Sequence, residues 1–183
     1  MKKYIIIIIN LLGILNLSAQ NKPAVEKNLI KLNLLLPGVV YEHGFNNKNT
    51  LYSELSIGFG YRNNSFSGNS WIFLPVINEQ FRHYYNLEKR SLNGKRTAGN
   101  SGNFLALNAI YNFKSFSTND NNYGYNDSSF IIAPVWGMQR TYKHNFNLGL
   151  NAGVGYLFYS DKNYDNNSFV PVINFSIGWV IGK

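Results

Sequence analysis

FNLGLNAGVGYLFY, residues Phe146–Tyr159, alternates almost without fault. Phe146, Leu148, Leu150, Ala152, Val154, Tyr156 and Phe158 share one side, while Asn147, Gly149, Asn151, Gly153, Gly155, Leu157 and Tyr159 share the other. Successive side chains of a strand point to opposite faces, so this is a two-faced strand. A half-buried soluble strand would show Lys, Glu or Thr to water on its second face. Here that face is mostly Gly and Asn, which suit a crowded interior better than a solvated surface.

The same design recurs at other points of the chain. In LYSELSIGFGY, Leu51, Leu55, Ile57, Phe59 and Tyr61 oppose Tyr52, Glu54, Ser56, Gly58 and Gly60. In the last run, Phe169, Ile173, Phe175, Ile177, Trp179 and Ile181 oppose Asn174, Ser176 and Gly178, with Val170, Val172 and Val180 as exceptions. Charged residues are rare in mid-strand and gather in the connections. In a small membrane barrel the apolar face meets lipid and the small or polar face fills a narrow lumen. Closure also pairs every backbone group, which lipid requires.

Composition agrees with export and strands. The 183 residues suffice for one domain; 16% are aromatic and 14% charged, against about 25% charged in typical soluble domains. Polarity comes mainly from 29 Asn. The start, MKKYIIIIINLLGILNLSAQ, has basic Lys2 and Lys3, an apolar Ile5–Leu17 and a small-residue exit at Ser18-Ala19-Gln20. This is a cleavable signal peptide pattern over 1–20, with the apolar run short of the ~20 residues of a spanning helix. The domain expected after it is 21–183. With no Cys, neither disulfides nor an N-terminal Cys lipid anchor is available. The formal charge of +8 on an exported chain points to outer-membrane lipids with anionic head groups rather than to nucleic acid.

Strand-like runs fall at Asn28–Phe45, Asn49–Arg62, Ser70–Tyr85, Gly102–Phe116, Ser128–Tyr142, Phe146–Tyr159 and Ser168–Ile181. Most exceed the ~5–6 residues of soluble strands. Pro37-Gly38 interrupts the first run, and two readings stand: a hairpin, which makes eight strands, or one bent strand, which leaves seven. With eight, both termini are periplasmic. Asn46–Lys48 and Lys143–Asn145 become periplasmic turns, and Asn63–Asn69, Ser117–Asp127 and Ser160–Asn167 become external loops. Leu87–Ser101 is long for a periplasmic turn. The expected fold is all-β: a closed, antiparallel, up-and-down transmembrane β-barrel of eight strands.

At this point the chain resembles small outer-membrane β-barrel domain proteins of unknown function, of the OmpA/OmpX type. The order is a signal peptide, LNLLLPGVVYEHGF, EQFRHYYNLEKRSLNGKRTAGNSGNF and a closing NFSIGWVIGK. In such families an early strand ends in a Tyr-Glu pair, here Tyr41-Glu42. A mid-chain strand carries an acid or amide two residues before Arg-x-Tyr-Tyr, here Gln80, Arg82, Tyr84 and Tyr85. The resemblance implies a fold and an outer-membrane location, and no activity. The terminal aromatic usual in outer-membrane barrels is absent, since Lys183 ends the sequence and Trp179 is the nearest aromatic.

By parity, Glu42, Glu54, Gln80, Arg82 and Arg140 form a lumenal polar cluster, with Arg82 pairing Glu42 or Glu54 across neighbouring strands. Buried charges persist only when paired and hydrogen-bonded. Catalysis is not expected. His43 and His83 share faces with outward aromatics, His144 sits in the KHN turn, and no serine stands beside a histidine in a nucleophile–base pattern. A lipid-modifying outer-membrane enzyme and a periplasmic lipocalin-like binder are the alternatives.

No metal or other cofactor is expected either. Asp161, Asn163 and Asp165 have oxygen-ligand spacing, but Asn166 and Val172 occupy the positions where a calcium loop needs Gly and Glu. Asn119–Asp127 is acidic and amide-rich without pattern. The glycines of Phe146–Tyr159 are no nucleotide fingerprint, because no helix follows. Leu87–Gly102, with Lys89, Arg90, Lys95 and Arg96, reads as a solvated turn shaped by Asn93-Gly94. Its charge fits phospholipid phosphates, a periplasmic partner or water. The role expected is structural or interactive: a monomer with a filled lumen, meeting an envelope or extracellular partner through its loops.

Overall fold

A computed structural model describes residues 24–63, 68–118, 128–159 and 167–183. The expected signal peptide, the segment Asn119–Asp127, residues 161–166 of Asp161–Asn167, and much of the three expected external loops lie outside the described residues.

The described chain is an antiparallel up-and-down sheet. Its strands are β1 (Asn28–Asn33), β2 (Gly38–Gly44), β3 (Asn49–Arg62), β4 (Ser70–Tyr84), β5 (Asn103–Asn112), β6 (Phe116–Ser117), β7 (Ser129–Thr141), β8 (Phe146–Tyr159) and β9 (Ser168–Gly182). From β1 to β5 each strand pairs with the next, β5 pairs with β7, β7 with β8, β8 with β9 and β9 with β1, so the ladder order returns on itself as a ring of hydrogen bonds, with β6 paired to β4. The two-residue β6 prolongs the course of β5 along β4, where Phe116 faces Phe73 in register. One short helix, α1 (Leu87–Leu92), follows β4. Among the described residues no helix is long and apolar enough to cross a membrane.

Pro37-Gly38 marks a hairpin. β1 and β2 pair from Asn28↔His43 to Asn33↔Gly38, and the chain turns through Leu34–Pro37. The two long runs β3 and β8 cover the expected spans, Asn49–Arg62 and Phe146–Tyr159. The ring has two ends. At the terminal end β1 begins and β9 finishes, together with the turns before β3 and β8 and the connection carrying α1. The Leu34–Pro37 turn lies part-way toward the loop end, level with Ile57 and Ile177, and at that end β3, β6 and β8 finish.

The two faces are inverted relative to a water-soluble domain. The interior holds buried polar residues, among them Glu42, Glu54, Gln80, Asn108, Gln139, Asn147 and Asn151. Large apolar side chains are exposed on the outside, including Leu55, Phe59, Leu105, Leu107, Val154 and Ile173. Among the described residues the exposed large hydrophobics outnumber the buried ones. The glycines of β8 follow from close approach. A Cβ on Gly153 would run into the Pro134 carbonyl, where the β7–β8 ladder lapses at Ala133-Pro134 and resumes in the same register.

The exceptions to alternation have a structural cause. Val172 and Val180 are buried in the interior. Ile131, Ala133 and Val135 on β7 likewise lie opposite outward Ile132, Pro134 and Trp136. Part of the interior is therefore apolar.

Candidate functional site

In the terminal half of the interior, side chains from four other strands converge on Glu42 of β2, which is fully buried. One of its carboxylate oxygens accepts hydrogen bonds from Thr50 Oγ1 and Tyr84 Oη, each at 2.8 Å. The other accepts from Lys31 Nζ at 3.2 Å and Gln139 Nε2 at 3.4 Å, and lies 3.7 Å from Arg82 Nη1. Strand alternation explains the convergence. Lys31, Glu42, Thr50, Arg82, Tyr84 and Gln139 occupy inward positions on β1, β2, β3, β4 and β7.

Arg82 is held on every side. Its Nε donates to Gln80 Oε1 at 2.9 Å and its Nη1 to Gln139 Oε1 at 3.1 Å. Its guanidinium stacks 3.6 Å from the centre of the Tyr52 ring and 4.4 Å from that of Phe104. A planar cation with delocalised charge suits this sandwich of rings and amides. Lys31 Nζ donates to the same Gln139 oxygen at 2.7 Å.

Glu54 forms a neighbouring group. It accepts from Asn33 Nδ2 at 2.6 Å, Tyr52 Oη at 3.0 Å and Asn78 Nδ2 at 3.2 Å. Two cations and two carboxylates thus share the interior, each with several polar partners, as burial of charge requires.

The structure brings together four of the five residues expected from parity: Glu42, Glu54, Gln80 and Arg82. Arg82 pairs with Glu42 rather than Glu54. Arg140 does not join them. It lies on the outer side of β7, where Nη1 donates to the carbonyls of Gly102 and Gln139, both at 2.7 Å, and Nη2 to Asn103 Oδ1. The inward place belongs to its neighbour Gln139. The signal was present in Gly137 and Gln139, which follow the small-or-amide rule of the interior. Lys31 was missed although it shares one face of NLIKLNLLL with Asn33, against Ile30 and Leu32 on the other, because Leu29 and Leu35 lie on that polar face too.

The reading of Leu87–Gly102 as a solvated turn is also corrected. Leu87, Asn100 and Ser101 are buried, while Lys89, Lys95 and Arg96 are exposed. The segment closes the terminal end of the ring through its backbone. The Gly99 carbonyl accepts from Gln139 Nε2 at 3.0 Å and Thr141 Oγ1 at 2.9 Å, and Gly99 N donates to Glu26 Oε1 at 3.0 Å. Asn100 Oδ1 accepts from Glu26 N at 2.7 Å. Gly99 has a φ of +63°, and a Cβ there would fall 2.5 Å from Thr141 Oγ1, so this contact requires glycine.

The histidines stay apart from the cluster. His43 Nδ1 meets Asn28 Oδ1 at 3.0 Å and His83 Nδ1 meets Asn49 Oδ1 at 2.7 Å, both on the outside. His144 is exposed in its turn with a φ of 57°. Among the described residues no three His, Asp or Glu come together as metal ligands. The interior arrangement ties strands to one another, and its ionised groups are committed to internal partners.

Fold and cluster define an all-β up-and-down protein, closed by hydrogen bonds around a charged, hydrogen-bonded interior. The chain belongs to the family DUF3575, described as a protein of unknown function, whose model matches residues 5–174. No curated protein and no solved structure matches it.

Proposed function

We propose that this protein is an eight-stranded outer-membrane β-barrel of the OmpA/OmpX type, exported by its first 20 residues, and that it serves as a structural or loop-presenting element of the envelope without catalytic activity. The observation that carries this reading is the inverted surface: apolar outside, charged and amide-rich within. Contiguous exposed apolar surface on this scale calls for a non-aqueous surrounding.

Two aromatic bands support it. Near the terminal end, Phe45 stacks on Phe81 and Phe146 meets Trp179 edge-on. Near the loop end, Tyr61 meets Trp71, Phe73 stacks on Phe116 and Tyr156 meets Phe169. The course of β9 from Phe169 to Trp179, at about 3.3 Å per residue and a tilt of about 40°, rises about 25 Å, the height of an outer-membrane apolar band. Glu79 is the acid on this outer face among the described residues; it lies near Phe81, and Ser53 Oγ donates to it at 2.7 Å.

Small barrels fill their interior with side chains, and the Glu42–Arg82 cluster together with the Gly99 segment serves that purpose at the terminal end. A general pore is therefore not the proposed role. Fractionation of the full protein tests the reading: recovery with outer membranes and heat-modifiable gel migration are expected. Recovery in the soluble fraction would overturn it.

A further inference from the structure

The wall of the ring is incomplete in its loop-end half. β1 and β2 have six and seven residues, whereas β3 and β9 have 14 and 15. The last ladder pairs of the hairpin are Gly38↔Ser56 and Asn33↔Gly178, extended by hydrogen bonds from Ile57 N to Pro37 O and Leu34 N to Ile177 O. Beyond them, among the described residues, no strand pairs with the free edges of β3 and β9. Two strands are missing there, an opening of up to about 14 Å at about 4.8 Å per strand spacing. Pro171 shares the parity of Ile177 and so presents its ring nitrogen to this opening, where a missing N–H breaks no ladder.

The surface behind the opening differs from the rest of the interior. Ile72, Leu74 and Val76 on β4, with Ile110, Ile131 and Val170, share the inward parity of the polar cluster yet are aliphatic and only partly covered. Opposite them, a Cβ on Gly60 would meet nothing within 4 Å, and one on Gly58 would find its nearest atom at 3.6 Å. The outer rim is apolar as well, with Leu34, Leu35 and Leu36 exposed.

We propose that the loop-end half of the interior holds one hydrocarbon chain of a lipid, which enters sideways between β3 and β9. The lining on β4, with Ile110, Ile131 and Val170, is aliphatic, the wall is open at that level and its outer rim is apolar, while Arg62, Asn112, Ser129, Asn174 and Ser176 are polar positions of the same inward parity around it. A single chain matches the width of an eight-stranded ring. A partner strand fits less well: Pro171 lacks a donor on one edge, and Gly58 and Gly60 offer no side chains on the other. Tyr61 and Trp71 bring the free edges near the membrane interface, where head groups and water complete their hydrogen bonds. The route of entry rests on the membrane placement proposed above; the chemistry of the lining does not.

The full protein, purified in a maltoside detergent, is titrated with the fluorescent fatty acid cis-parinaric acid, which is then displaced with palmitate. Saturable uptake of about one equivalent is expected. Gly58→Phe and Gly60→Phe fill the space and Leu74→Glu charges the lining, and each weakens binding by about tenfold or more, while outward Ile57→Ala leaves it unchanged. Non-saturable uptake by the unmodified protein overturns the proposal. So does undiminished binding in the folded variants, or self-association through the open edges with no uptake. Saturable binding by a protein recovered in the soluble fraction would overturn the membrane reading and leave this site standing. A membrane-inserted protein that takes up no probe would do the reverse.

Discussion

Gln139 donates its amide nitrogen to the carbonyl of Gly99 at 3.0 Å, joining the segment that closes the terminal end to the charges inside the ring. The amide oxygen of the same side chain accepts from Lys31 and Arg82. A side chain with both a donor and an acceptor is needed at this junction, because it faces a carbonyl on one side and two cations on the other.

Replacing Gln139 by Leu keeps the bulk and removes both functions. The Gly99 carbonyl, the Glu42 carboxylate and two buried cations each lose one of several partners, and the variant is expected to lose about 0.5–1.5 kcal/mol per hydrogen bond removed. The measurement is urea unfolding in detergent, read by heat-modifiable migration. Unaltered stability would show that the junction contributes nothing.

Arg82→Ala leaves Glu42 with one cation fewer in a buried site and is expected to cost about 3–5 kcal/mol. Because the two groups share one network, the Arg82→Ala, Glu42→Ala double variant should be less destabilised than the sum of the single ones. A double-mutant cycle in the same unfolding assay checks this. Strict additivity would mean that the 3.7 Å contact carries no coupling.

Much of this was legible in the sequence, for a physical reason. Where one face of a strand is apolar and the other small or amide, as in β3 and β8, parity alone assigns the inward residues, and Glu54, Asn147 and Asn151 follow. Where both faces are apolar, parity is mute. That is why the aliphatic inner surface of β4 and β7 showed only as broken alternation; Lys31 was missed although it shares a face with Asn33, because Leu29 and Leu35 lie there too. Arg140 was misplaced because the parity of β7 was read one residue off: Gly137, Gln139 and Thr141 hold the inward places. The closing of the terminal end by Leu87–Gly102 rests on backbone carbonyls and a positive φ at Gly99, and neither leaves a mark in residue type beyond the glycine itself.

Two glycines of that segment separate conformation from contact. Gly94 and Gly99 both have positive φ, +65° and +63°, but a Cβ on Gly94 meets nothing within 4 Å while one on Gly99 collides with Thr141. Gly94→Ala is therefore expected to cost about 1 kcal/mol for backbone strain alone. Gly99→Ala should cost clearly more and loosen the whole segment. Limited trypsin digestion reads the difference, with faster cleavage after Lys95 and Arg96 in Gly99→Ala than in Gly94→Ala. Equal rates would sink the closing role given to Gly99.

The terminal end is also where charge collects. Lys27, Lys48, Lys89, Lys95, Arg96 and Lys143 are exposed there, whereas the acids of that end among the described residues are Glu26, paired with Lys183 at 3.5 Å, and Glu88. Such a cluster beside an aromatic band matches the phosphates of an anionic leaflet, at about 1 kcal/mol per cation near the surface. Adding phosphatidylglycerol to the detergent-solubilised protein should therefore raise its melting temperature, and phosphatidylcholine should not. The combined Lys89→Gln, Lys95→Gln, Arg96→Gln variant should lose most of that rise, since these side chains extend from the surface and leave the buried contacts of Gly99 and Asn100 intact. Salt should diminish the effect, because exposed charges are screened over about 8 Å at physiological ionic strength. An equal rise with soluble glycerophosphate would point to the phosphate alone rather than to a lipid surface. No rise with phosphatidylglycerol would remove the leaflet as the partner of this end.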